Sequence, residues 1–189
     1  YLNEEELNRM MSLKLPFERL ERVRDYFLFA CFTGLSYADV KKFTRKEIEI
    51  TDSGKWIKTR RKKTGGVVFV PILDVAWQII QKYNPYFEEL MPEDPVLPIM
   101  SNQKMNGYLK EIADLAKISK QLSYHIARHT FATTVTMLNG VPIETVSKML
   151  GHKNITSTQH YARIVDNKVN KDMKVLAEQL DGKMVLNWS

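Results

Sequence analysis

The chain is nearly without cysteine: Cys31 is the single thiol in 189 residues. That excludes a disulfide within the chain and a metal site built from several thiolates. It also makes a reducing, intracellular setting the default. No apolar run reaches the roughly 18 residues that a membrane-spanning helix needs, so no membrane partner is expected. The opening residues carry no secretory leader. The first residue is Tyr1 rather than Met, which reads as a fragment of a longer protein. Internal repeats and low-complexity tracts are absent. Acidic residues are in deficit, 22 Asp and Glu against 28 Lys and Arg, leaving a net charge of +6. That balance favours an anionic partner, nucleic acid first.

What is present is a series of helical patterns interrupted by one strand-rich stretch. Asn3 before Glu4, Glu5 and Glu6 is an N-cap with an acidic first turn. From Phe17 to Thr33 apolar residues recur at helical spacing, and Gly34 ends that helix. Ser36 opens a short second helix. Between Ile48 and Pro71 strand formers dominate, with turn signals at Ser53-Gly54 and Gly65-Gly66, so a small three-stranded antiparallel sheet is expected. Helices are expected over 73–83, 101–116, 124–139, 143–150, 156–163 and 167–180, with residues 182–189 as a tail. The fold class is α+β, mainly helical.

The chemistry concentrates near the C-terminus, where all four histidines fall between His125 and His160. His125 and Arg128 are three positions apart, which puts both on one face of a helix. The planar donor fork of an arginine suits the nonbridging oxygens of a phosphate, although Arg128 taken alone fits a structural ion pair better. His152 follows Gly151 in a Leu-Gly-His turn, and Tyr161 lies nine positions further on. A phenol is a plausible covalent nucleophile once cations or a base activate it. Tyr124 is a weaker competitor, since it abuts His125. A dense basic run, Lys58 to Lys63, sits at the tip of the expected hairpin.

This order and spacing resemble the catalytic domain of the tyrosine recombinases, the phage integrase and Xer-like site-specific DNA recombinases, from about Asn3 to Val165. The integrases of conjugative transposons are similar in one further respect, described below. The resemblance implies a tyrosine-recombinase catalytic-domain fold over residues 1–181, with the separate N-terminal core-binding domain absent from this fragment. It implies site-specific recombination for a mobile element, with double-stranded DNA as substrate and Tyr161 forming a 3′-phosphotyrosyl link. Arg128, His125 and His152 would stabilise the transition state. Lys63, with Lys62 as runner-up, would protonate the leaving 5′ oxygen. Arg60, Arg61, Lys62 and Lys42 would contact the DNA backbone. No cofactor and no metal is implied. The working assembly would be a tetramer on two duplexes in the bacterial cytoplasm, on the nucleoid. The final helix would dock on a neighbouring subunit or pack on its own domain.

One position departs from the pattern. Ser36 stands where the family usually carries its first arginine, while Asp39 matches the acidic position that follows. The conjugative-transposon integrases also carry a non-arginine residue in this turn. Arg24, with Arg22 as runner-up, is the expected replacement clamp. The alternatives are a non-catalytic or weakly active DNA-binding relative and a type IB topoisomerase activity.

Overall fold

The computed structural model describes residues 1–162 and 168–181. Its centre is α2 (Glu18–Thr33). Leu20, Val23 and the run from Tyr26 to Cys31 are buried on every side of this helix, the pattern of an element enclosed by others. It packs against α4 (Asp74–Tyr83), α5 (Asn102–Leu115) and α6 (Tyr124–Thr130). Gly34 ends α2 in the left-handed region at φ 71°, and its N–H donates to the Ala30 carbonyl at 2.9 Å.

The expected capping is present in α1 (Glu4–Ser12). Asn3 accepts from the Glu6 N–H while the Glu6 carboxylate accepts from the Asn3 N–H. Ser36 caps the short α3 (Tyr37–Val40). The sheet is antiparallel in the order β1 (Ile48–Thr51), β2 (Gly54–Arg60), β3 (Val67–Pro71). Ile57, Thr59, Val68 and Val70 point inward, while Trp56 and Phe69 stack at 4.6 Å on the other face. α7 (Ile143–Met149) packs on β3, and α8 (Thr156–Ala162) packs on α7.

The sequence reads 124–139 as one helix. The structure instead widens it to a π-helical turn over Phe131–Thr136 and tightens it over Met137–Asn139 before Gly140. The cause is a run of hydroxyls that compete for backbone groups. Thr136 donates back to the Phe131 and Ala132 carbonyls at 2.9 and 2.8 Å. Thr130 accepts from the Leu2 N–H at 3.0 Å and Thr134 donates to the Leu2 carbonyl, so the first residues of the chain are tied to this helix. The last described helix, α9 (Lys168–Leu180), leaves Met173, Val175 and Leu176 exposed. The tail expected at 182–189 lies outside the described residues. No helix among them is long and apolar enough to cross a membrane.

Candidate active site

Helices α3, α5, α6 and α8, the β2–β3 hairpin and the Leu-Gly-His turn converge on one cleft of about 490 Å³. Its walls include Ser36, Arg61, Lys63, His125, Arg128, His152 and Tyr161. At its base is Arg128, only 3% exposed. Its Nη1 donates to the Gly34 carbonyl at 2.7 Å and its Nη2 to the Leu150 carbonyl at 2.6 Å. Both acceptors close helices, α2 and α7. The guanidinium therefore sits at the negative ends of two helix dipoles, and no carboxylate is in hydrogen-bond contact with it among the described residues. Burial, with the charge of Arg61 second, lowers it to about 10. It is a pre-aimed cation whose remaining capacity faces the cleft.

His152 Nε2 lies 3.1 Å from Arg128 Nη2, and its Nδ1 lies 2.7 Å from Thr158 Oγ1. Burial first, then Arg128 and Arg61, lowers His152 to about 4, so the ring is neutral at pH 7. His125 is exposed at the mouth; burial, Arg128 and Lys63 lower its pKa. Tyr161 is 6% exposed, its ring parallel to that of His152 at 6.3 Å and edge-on to that of His129 at 4.9 Å. The competitor Tyr124 lines the cleft wall, but its hydroxyl is committed to the Tyr26 carbonyl at 3.1 Å and burial pushes its pKa well up.

Residues 1–168 match the profile described as the Phage integrase family. The chain belongs to the phage integrase family. The tyrosine recombinase XerD of Proteus mirabilis is 27% identical over 196 residues, covering 94% of this chain and 58% of that protein. The crystal structure of XerA recombinase superposes with a TM-score of 0.68 at 19% identity, covering 95% of this chain and 62% of that one. The Tn1549 transposon integrase in complex with circular intermediate DNA gives a TM-score of 0.61 at 19% identity, covering 92% and 64%. The integrase-family chain thus spans about three-fifths of the length of these relatives. The mainly helical fold with its three-stranded sheet is that of the tyrosine-recombinase catalytic domains.

Within this family member two glycines explain how the hairpin reaches the cleft. A Cβ on Gly66 would lie 2.5 Å from the Gly151 carbonyl oxygen, and one on Gly151 would lie 2.9 Å from the Val67 carbonyl oxygen. The Thr-Gly-Gly turn and the Leu-Gly-His turn touch through bare backbone. Asp39 anchors the hairpin from the other side: it accepts from the Lys62 N–H at 2.9 Å and from Ser36 Oγ at 2.6 Å. Between these two anchors Arg61 enters the cleft and Lys63 lines it. Arg61 Nε is buried without a hydrogen-bond partner among the described residues. Arg60 and Lys62 are exposed, and Lys42 Nζ donates to the Arg60 carbonyl.

The structure does not bring Arg24 to the cleft. Its guanidinium donates to Asp25 Oδ1 at 2.9 Å and to the Leu13 carbonyl at 2.5 Å, on a face of α2 shared with Lys82. The physical reason is Asp25, a buried carboxylate that draws Arg24, Lys82 and the Tyr83 hydroxyl to itself. Arg22 is likewise engaged, with Glu18. The guanidinium that shares the cleft with Ser36 and Arg128 is that of Arg61, which sequence reasoning assigned to backbone contact alone. His129 and Thr158 were also missed. His129 Nε2 lies 2.9 Å from His125 Nε2, and burial and His125 lower it to about 4. The i, i+4 spacing of His125 and His129 was the available signal.

Proposed function

We propose that this chain carries the strand-cleaving and rejoining centre of a site-specific DNA recombinase of a mobile element. The observation that carries this reading is the convergence of Tyr161, Arg128, His125, His152 and Lys63, distant in sequence, on one cleft. Tyr161 Oη attacks the scissile phosphorus of double-stranded DNA and the bond to the 5′ oxygen breaks. Lys63 gives a proton to that oxygen, which would otherwise leave as a poor alkoxide. The phenol proton passes to a neutral histidine of the cleft. Arg128 and Arg61 bind the nonbridging oxygens and gain strength as charge develops on them. The 5′-hydroxyl of a partner strand then displaces the tyrosine. The phosphotyrosyl link conserves the bond energy, so the scheme needs no cofactor. The second guanidinium makes this reading preferable to a non-catalytic one, because Ser36 alone leaves the clamp incomplete.

Arg60, Lys62 and Lys42 are assigned to the DNA backbone, where they set register and salt dependence rather than sequence choice. Strand exchange needs two duplexes and hence several subunits; the exposed Met173, Val175 and Leu176 of α9 supply apolar surface for a neighbouring copy in a tetramer. Exchange between two sites separates this function from a type IB topoisomerase.

A nicked suicide duplex carrying the recombination site, with the full-length protein, tests the assignment. A covalent protein–DNA band is expected, and Lys63→Ala should lower its rate by roughly 10²–10⁴-fold. A bridging 5′-phosphorothiolate, whose thiolate leaves without an acid, should restore that rate. Failure of the sulfur substitution to rescue Lys63→Ala would remove Lys63 from the acid role.

A further inference from the structure

We propose that Thr158 is a positioning residue that fixes the ring and the tautomer of His152. Arginine offers only donors. With Arg128 Nη2 at 3.1 Å, His152 Nε2 must therefore present its lone pair. A neutral ring then carries its proton on Nδ1, and the atom facing Nδ1 is Thr158 Oγ1 at 2.7 Å. This is the less common tautomer of a histidine in water, so something must hold it. Thr158 is 0% exposed, which leaves no room for water to take over the contact.

The placement adds a second consequence. Thr158 lies on α8 one turn before Tyr161, and residues three apart share a helix face. The Leu-Gly-His turn and the helix bearing the nucleophile are thereby joined by a hydrogen bond between side chains. Once the scissile phosphate draws the Arg128 N–H away from Nε2, the held tautomer leaves a lone pair, not an N–H, in the cleft beside Tyr161. If the cleavage chemistry proposed above holds, on which this consequence rests, Nε2 takes the phenol proton as the P–O bond forms. The imidazolium then donates from Nε2 to the phosphate while Nδ1–H remains on Thr158. Orientation of an imidazole by a partner on its far nitrogen is a general device of sites that depend on one ring nitrogen.

The tautomer is a property of the DNA-free protein and can be read without any reaction. Long-range ¹H–¹⁵N spectra of the labelled full-length protein at neutral pH, with His152 assigned through His152→Gln, are expected to show a protonated Nδ1 and an unprotonated Nε2. Thr158→Val should lose that signature, and Thr158→Ser, which keeps the hydroxyl, should restore it. On the suicide duplex Thr158→Val should slow adduct formation about tenfold or more with DNA retention unchanged, the effect of one hydrogen bond to a group that gains charge. Protonated Nε2 in the parent protein, or a fixed Nδ1–H that survives in Thr158→Val, would overturn the proposal. A threonine-dependent Nδ1–H in a protein that never forms an adduct would uphold the positioning contact and sink the proposed cleavage function instead.

Discussion

Replacing Arg61 by alanine is expected to slow covalent adduct formation by about 10²–10³-fold, the usual cost of removing one preorganised donor from a developing oxyanion. The reason is local. Ser36 brings no charge to the turn after α2, and Arg61 lines the same cleft as Ser36 and Arg128. Its Nε is buried without a partner among the described residues. Such an atom costs free energy unless a ligand satisfies it. The hairpin is anchored by Asp39 to the Lys62 N–H and by the Gly66–Gly151 contact, so the guanidinium is preorganised rather than recruited. Arg60→Ala, at the exposed neighbour, should weaken DNA retention and flatten its salt dependence while bound complexes still cleave. Arg24→Ala should lower thermal stability through Asp25 and leave cleavage intact at temperatures where the protein is folded. Single-turnover cleavage of the suicide duplex by the three variants separates these outcomes. Parent-like cleavage by Arg61→Ala would remove it from the phosphate clamp.

Gly34→Ala is expected to be strongly destabilising. At φ 71° an L side chain is strained, and the new Cβ would lie 2.5 Å from Phe131 Cδ1 and 2.9 Å from Leu150 Cδ2. Left-handed backbone costs about 1–2 kcal/mol and overpacking about 1–3 kcal/mol. The sum, roughly 2–5 kcal/mol, corresponds to a fall in Tm of roughly 4–20 °C for a chain of this size. Gly140→Ala is the control: it too has positive φ, 87°, but nothing lies near its Cβ. Only the backbone part of the loss is expected there. Differential scanning calorimetry of both variants separates crowding from strain, and equal losses would show that Phe131 and Leu150 give way freely. Because the Gly34 carbonyl holds Arg128, cleavage by Gly34→Ala should also fall at temperatures where the variant remains folded.

Local spacing carried most of what the sequence disclosed. The α2 helix, its Gly34 stop, the three strands with their two turns, and the shared helix face of His125 and Arg128 all follow from positions a few residues apart, whereas joining them to His152 and Tyr161 rests on the family resemblance. The choice of Lys63, with Lys62 as runner-up, rests on the same resemblance, read onto the Lys-Thr-Gly turn. The error over Arg24 arose where a tertiary contact decided the outcome. Nothing within α2 reveals that Asp25 is buried and draws Arg24 away. Nothing within the hairpin reveals that Asp39 and Gly151 pin it beside Ser36. The Gly65-Gly66 pair reads as a turn, yet Gly66 is required by an approach to a segment 85 positions later. The π-helical turn depends on Thr136 bonding back to the Phe131 and Ala132 carbonyls, a choice of partner that helical spacing alone does not disclose. Thr158 looked like an ordinary helix residue until His152 was seen against it.

The measurement that bears most directly on the cleft is the identity of the residue that becomes attached to DNA. Full-length protein is incubated with the suicide duplex, digested, and the nucleotide-bearing peptide sequenced by mass spectrometry beside Tyr161→Phe. The expected result is a 3′-phosphate linked to Tyr161 and no adduct from Tyr161→Phe, which should still retain the DNA. An adduct that persists in Tyr161→Phe, or that maps to another side chain such as Tyr124, would contradict the assignment of the nucleophile and of the cleft built around it.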